Sequence, residues 1–478
     1  MNFKLILATL GRVVLCEAVC LVLPLLCGLI YNEPYTPQYL ICIAICVAFG
    51  VIMTLFKPKT KSFYSKEGYI TVALSWIIIS LFGALPFYVT GFIPNFVDAF
   101  FETASGFSTT GASILTDVEA LPKGLLFWRS FTHWIGGMGV LVFLVALLSL
   151  SGGSNIYLIK AESPGPKISK LVPRVKDGAK ILYTIYMVLT VLECALLLLG
   201  GLDLFSALTL TFGTAGTGGF GILNSSIAEY SPYVQNVITV FMLIFGVDFS
   251  IYYLIILRKF KDILKSDEFK AYLGIVAISV VIITINCLSI FGNLLDTLRH
   301  SAFQVASIIT TTGYATTDFD LWPSLSKTIL VMLMFVGACA GSTGGGMKVS
   351  RFILLFKSIV KEIKILAHPR TTFKVTMNGR VVEHETVRGV NVYVAAFFSV
   401  FVGALLIISL DNFDFATNFT AVVATINNIG PGLNMVGPTG NFAAFSDLST
   451  FVLSMVMLAG RLEIIPMIML FAPTTWKK

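Results

Sequence analysis

Charge is what this chain of 478 residues has least of: Asp, Glu, Lys and Arg together make up 12% of it. A water-soluble domain carries about twice that fraction, so the chain falls outside the ordinary soluble classes and among the polytopic membrane proteins. Histidine is scarcer still. His133, His300, His368 and His384 are scattered, and only His133 lies within an apolar run. With no cluster at metal-ligand spacing, and no nucleophile or acid–base pair inside the spans, enzymatic chemistry is not expected. The cysteines, at 16, 20, 27, 42, 46, 194, 287 and 339, all sit inside apolar runs. They read as small buried residues, not as disulfides or ligands.

What fills the chain instead is hydrophobic residues, 56% of it. Apolar runs at roughly 9–31, 38–56, 68–91, 125–150, 180–200, 233–257, 271–292, 325–357, 388–410 and 446–472 predict ten spans. The first lacks a small-residue cleavage site and is expected to be retained. Loop charge orients them. Lys57, Lys59, Lys61 and Lys66 follow the second run; Lys160, Lys167, Lys170, Arg174, Lys176 and Lys180 follow the fourth. Arg258, Lys259, Lys261, Lys265 and Lys270 come next, then Lys348, Arg351, Lys357, Lys361, Lys364, Arg370 and Lys374. The alternate connections favour acids: Asp98, Glu102, Asp117, Asp203, Glu229, Asp296, Asp318, Asp320, Asp411 and Asp414. By the positive-inside rule both termini are expected inside, and the net charge of +7 is a topology signal. The basic loops suit anionic lipid of the bilayer or a soluble partner; nucleic acid is not an expected partner. FKVTMNGRVVEHE, at 373–385, alternates around Asn378-Gly379 and predicts a small cytoplasmic β-hairpin.

Four short stretches then stand out: STTGAS, GTGGFG, TTTGYA and NNIGPG, whose turn glycines align as Gly111, Gly218, Gly313 and Gly430. Each follows a mostly apolar segment too short to cross a bilayer and is bracketed by runs that are long enough. Such re-entrant half-helices are tolerated at membrane depth where protein or water surrounds them. The fold class that follows is an all-α polytopic membrane protein. Four repeats of helix, pore half-helix and helix lie in pseudo-fourfold arrangement, with two extra N-terminal spans. The expected divisions are 1–67 for the extra spans and a loop, then 68–179, 180–270, 271–386 and 387–478 for the repeats. Glycine permits φ > 0, so carbonyls can face a narrow axis without a side chain intruding. Thr109, Thr110, Thr217, Thr311 and Thr312 add hydroxyl oxygens, and each half-helix directs its negative dipole end towards an ion. The competing reading, glycines serving only close helix packing, does not account for four of them in register.

Two nucleotide-like strings are discounted. Gly216, Gly218 and Gly221 match GxGxxG outside any βαβ unit, and Met347 stands where a phosphate-binding loop following Gly341 and Gly346 needs lysine. No organic cofactor is expected in this chain. Gly337, Gly341, Gly344, Gly345 and Gly346 instead interrupt the third repeat's long helix. Arg461 lies in an otherwise apolar run and must face water or a partner; Glu463, two residues on, points elsewhere on a helix.

In combination STTGAS, WRSFTHWIGGMG (128–139), GACAGSTGGGMKVSR (337–351) and AGRLEIIP (459–466) carry a resemblance to the Trk/Ktr/HKT superfamily of potassium and sodium transporters over nearly the whole chain. The likeness is greatest to its bacterial TrkH-like membrane subunits, because of the extra N-terminal spans. The resemblance implies a multi-pass protein of the bacterial cytoplasmic (inner) membrane that takes up K⁺ as its transported ion. The filter would comprise Thr109, Thr110, Gly111, Thr217, Gly218, Thr311, Thr312, Gly313, Asn428, Ile429 and Gly430. Glycine at 111, where serine accompanies Na⁺ selectivity in the HKT branch, favours K⁺. The fourth loop departs from the threonine-rich pattern. The resemblance further implies a gate formed by Gly341, Ser342, Thr343, Gly344, Gly345 and Gly346 with Arg461 beside it beneath the filter. It also implies a homodimer, and control by a cytoplasmic TrkA-like regulatory subunit binding NAD or ATP. A less selective K⁺/Na⁺ transporter or a proton-coupled symporter is the alternative.

Overall fold

The computed structural model describes residues 1–56, 64–139, 175–370 and 372–476. Among these, six helices or helix pairs are long and apolar enough to cross a membrane: Phe3–Ile30, Thr36–Thr54, Ser65–Val89, Lys180–Leu199, Asp267–Phe291 and His384–Asp411. Pro232–Phe245 and Phe249–Ile256 count as a seventh if taken as one span, although they are bent by 90°. The bend departs from the single straight helix that the apolar run suggests. Its physical cause is Asp248, whose carboxylate accepts the Ser250 N–H at 2.9 Å and starts a new helix in mid-run.

Two other runs also break. Ser324–Val336 ends at Gly337 (φ 70°), as the glycines predict, and helix resumes only at Val349. The run at 446–472, expected to be continuous, divides into Asp447–Arg461 and Ile465–Phe471. Glu463 and Ile464 there take φ of 56° and 65°, and Pro466 opens the second piece. The span at 125–150 is described as Lys123–Gly137. Residues 140–174, with Lys160, Lys167, Lys170 and Arg174, lie outside the described residues, as do Lys57, Lys59 and Lys61.

The expected hairpin is present. Thr376–Met377 and Arg380–Val381 pair antiparallel across Asn378 and Gly379, both at positive φ. It is tied to the helical body by Lys357, which donates to the Thr376 carbonyl and to Asp267 at 2.8 Å each.

Four short helices occupy the middle of the molecule: Phe96–Phe107, Leu204–Gly216, Leu294–Ile309 and Phe415–Ile426. A helix of twelve residues is ~18 Å long, against ~30 Å of hydrocarbon. Each starts on a side-chain cap. Asn95 accepts from Val97, Asp203 from Phe205, Asn293 from Leu295 and Asp414 from Thr417, at 2.9 to 3.1 Å. Asp203 and Asp414, read from the sequence as loop acidity, are therefore helix caps. Their side chains satisfy N–H groups that the first turn leaves open.

Candidate functional site: a ring of four loops

The four short helices end alike. A left-handed residue follows each: Thr109, Thr311 and Asn428 two positions past the helix end and Thr217 directly after Gly216, with φ between 54° and 59°. One position further, Thr110, Gly218, Thr312 and Ile429 each return an N–H five residues back, to Ser105, Gly213, Ser307 and Ala424, at 2.8 to 2.9 Å. One further again, Gly111, Gly219, Gly313 and Gly430 have φ between 78° and 97°. This pattern shifts the second loop by one residue. Gly219, not Gly218, has the conformation of Gly111, and Gly218 stands level with Thr110, Thr312 and Ile429.

The register matters because these glycines touch one another's loops in cyclic order. A side chain on Gly111 would overlap the Gly218 carbonyl, on Gly219 the Thr312 carbonyl, and on Gly313 the Ile429 carbonyl. On Gly430 it would lie 2.8 Å from the Thr110 carbonyl oxygen. The ring therefore closes through backbone alone.

Further contacts close it again beyond the glycines. Val118 and Asn224 join the first loop to the second at 2.8 Å, and Ile227 bonds the Ala315 carbonyl at 3.0 Å. Asp320 accepts from Asn434 at 3.0 Å, and Phe442 bonds the Ser113 carbonyl at 2.9 Å. The Asn224 amide also holds the exposed Asp117 carboxyl below the usual carboxylate range.

The threonines of these loops differ in what their hydroxyls do. Thr110 bonds Ser108 and accepts from Asn428, Thr312 bonds Thr310, and Thr217 donates to Gly216. Thr311 accepts the Gly345 N–H at 2.6 Å. Thr109 Oγ1 is buried without a hydrogen-bond partner.

That Gly345 contact brings the glycine-rich stretch against the loops. A side chain on Gly345 would press on the Asn427 carbonyl, and one on Gly344 on that of Thr310. The stretch is anchored at both edges by one carboxylate. Glu268 accepts from Ala340 at 2.7 Å and from Ser350 at 3.0 Å. Lys348 is buried and donates to the Gly344 carbonyl. Thr343 bonds the Phe245 carbonyl, and Phe249 bonds that of Gly341, so the bend at 246–248 seats the stretch.

Arg461 bridges this assembly. It donates to the carbonyls of Thr343 (2.7 Å), Gly136 (2.6 Å) and Gly137 (2.9 Å). Gly136 itself lies against the Phe107 carbonyl and Gly137 against Gly216, at the ends of the first two short helices. Glu463 does point elsewhere: it pairs with Arg351, whose guanidinium also lies 4.0 Å from the centroid of Tyr393.

Several residues here escape sequence reasoning. Glu268 and the Arg351–Glu463 pair join positions far apart in the chain; Lys348 and Arg351 were visible only as loop charge, and Glu463 only as a second charge beside Arg461. Glu102, counted with the loop acids, is instead buried and paired with Arg129 at 2.5 Å. A carboxylate in the apolar helix Phe96–Phe107, and an arginine within WRSFTHWIGGMG, were the available hints.

A family model described as "TrkH: Cation transport protein" matches residues 36–478. The Trk system potassium uptake protein TrkH of Salmonella typhimurium is 36% identical, with all of both chains covered. TrkG of Escherichia coli, also a Trk system potassium uptake protein, is 33% identical over 95% of this chain and 94% of its own. The crystal structure of the potassium transporter TrkH from Vibrio parahaemolyticus superposes with a TM-score of 0.89 at 31% identity, again covering both chains entirely. With its several apolar helices, this is a multi-pass protein of the bacterial cytoplasmic membrane. Matched from residue 36 to its last and alignable end to end with such relatives, the chain belongs to the TrkH family of cation transport proteins.

Proposed function

We propose that this protein takes up K⁺ through the ring of four loops, which acts as a selectivity filter built from backbone. The observation that carries the reading is the cyclic contact of Gly111, Gly219, Gly313 and Gly430 with the carbonyls of the neighbouring loops. Four such segments in one chain enclose an axis, and backbone carbonyls can replace a cation's hydration shell without a full charge that would hold it too tightly. Most of the threonine hydroxyls are engaged with protein groups, which favours carbonyls as the principal ligands. The ten-span, four-repeat layout with both termini inside is the arrangement that suits this ring, with the acidic connections, Asp117 among them, outside. Beneath the ring, 341–346 and Arg461 serve as the gate. The regulatory subunit that relieves it, a cytoplasmic nucleotide-binding protein, would act on a homodimer of this chain.

The test is cation flux into liposomes carrying the purified protein, with K⁺, Rb⁺, Na⁺ and pH gradients varied separately. Rb⁺ is expected to move far faster than Na⁺, with no requirement for a pH gradient. Gly111→Ser is expected to narrow the Rb⁺ over Na⁺ ratio by about tenfold, equivalent to ~1.4 kcal/mol of discrimination. Equal Rb⁺ and Na⁺ fluxes in the unmodified protein, or flux only with a proton gradient, would refute the reading.

A further inference from the structure

Behind the ring, two of the four loops share a buried charge pair. Glu102 lies on the first short helix with its side chain fully covered. It accepts from Arg129 Nε at 2.5 Å, from the Ile114 N–H at 2.9 Å, and from the Ser113 hydroxyl at 3.1 Å to each oxygen. Arg129, 4% exposed, donates Nη1 to the Gly221 carbonyl at 2.9 Å. Its guanidinium lies 3.5 Å from the centroid of the Phe220 ring. The Phe220 N–H in turn meets His133 Nε2 at 3.2 Å, while His133 Nδ1 meets the Gly106 carbonyl at 2.7 Å. The carbonyl can only accept and the N–H can only donate, so His133 is held as the tautomer protonated at Nδ1.

The contacts to Ser113, Ile114, Phe220 and Gly221 fall on residues that closely follow Gly111 or Gly219, and the contact to Gly106 falls on the first short helix. After Gly313 and Gly430 the ties nearest the glycine are neutral, and the carboxylates that meet the fourth loop, Asp320 and Asp414 on Asn434, do so through exposed hydrogen bonds. Ser307 donates to the Tyr314 carbonyl at 2.5 Å, and the Leu433 N–H donates to Thr420 at 2.9 Å. A buried ion pair is a poor source of net stability. A fully bonded one is rigid, because charge-assisted hydrogen bonds are short and directional. We propose that Glu102 and Arg129 are positioning residues that hold the first and second loops at a fixed separation and thereby set the preference for large over small monovalent cations. The proposal rests on the filter reading above.

The experiment measures Rb⁺ and Na⁺ flux in liposomes for the unmodified protein, Glu102→Gln and Ser113→Ala, normalised to folded protein. Glu102→Gln is expected to lower the Rb⁺ over Na⁺ ratio about fivefold, and Ser113→Ala, which keeps the charge pair and loses one of its hydrogen bonds, about twofold. If Glu102→Gln does not fold, Ser113→Ala decides. An unchanged ratio in Ser113→Ala, or in folded Glu102→Gln, overturns the positioning role while leaving the filter intact. A purely structural strut would lower the yield of folded protein and leave the ratio alone. Absence of selective flux in the unmodified protein overturns the filter reading and this proposal together.

Discussion

Gly219→Ala is expected to reduce K⁺ flux by about a hundredfold, whereas Gly201→Ala leaves it nearly unchanged. Both glycines have strongly positive φ, 79° and 88°, so both substitutions bear the same backbone penalty of ~1–2 kcal/mol. They differ in surroundings. A side chain at 201 meets nothing within 4 Å, while one at 219 overlaps the Thr312 carbonyl of the next loop. The methyl group must push the second and third loops apart, and in a closed cycle that displacement is passed to the other two. Comparing flux per folded protein for the two variants separates ring closure from dihedral strain. Equal, small losses at both positions would show that Gly219 is not part of a closed ring.

Replacing Arg461 by Gln is expected to raise flux measured without any regulatory subunit, and Arg461→Lys to leave the barrier largely in place. A unit positive charge ~6 Å from a permeating cation, at an effective dielectric of ~20, opposes it by ~3 kcal/mol. Water and counter-ions reduce this, so the rise expected is about tenfold rather than a hundredfold. The contacts of Arg461 strengthen the expectation. Its partners at Thr343, Gly136 and Gly137 are backbone carbonyls, and loss of the guanidinium also frees the glycine-rich stretch from the ends of the first two short helices. Flux should be read beside thermal stability in detergent. Lower flux with a large fall in stability for Arg461→Gln would identify the residue as a structural tie and not a barrier.

How far the sequence carries depends on whether a feature is local. The four loops were legible because each is a contiguous signal, a short apolar segment followed by glycine. The hairpin was legible because Asn378-Gly379 favours one turn type. The break at Gly337 was legible because the glycines it needs are adjacent. The register of the second loop was not. Residues 216–221 offer glycine at four positions, and only the contact of Gly219 with Thr312 on another loop selects one. The bends at 246–248 and 462–464 lie within apolar runs; Asp248 acts as a cap on its own next turn, a weak signal in such a run, and Glu463 acts through Arg351 elsewhere in the fold. Glu102 was misread for the same reason. Its sign was visible, but Arg129, which makes its burial tolerable, sits on a different helix. Arg461 was recognisable as an intramembrane charge, yet nothing local announces that it is satisfied by the open carbonyls at the end of Lys123–Gly137.

The most direct test of the filter is where a permeating ion rests. Crystals of the protein grown in Rb⁺ and measured at the rubidium absorption edge give its position by anomalous scattering. A peak is expected on the axis enclosed by the backbone of 109–111, 217–219, 311–313 and 428–430, weakened or moved in Gly111→Ser. Rubidium bound elsewhere, with the space between the four loops empty at saturating Rb⁺, would contradict it.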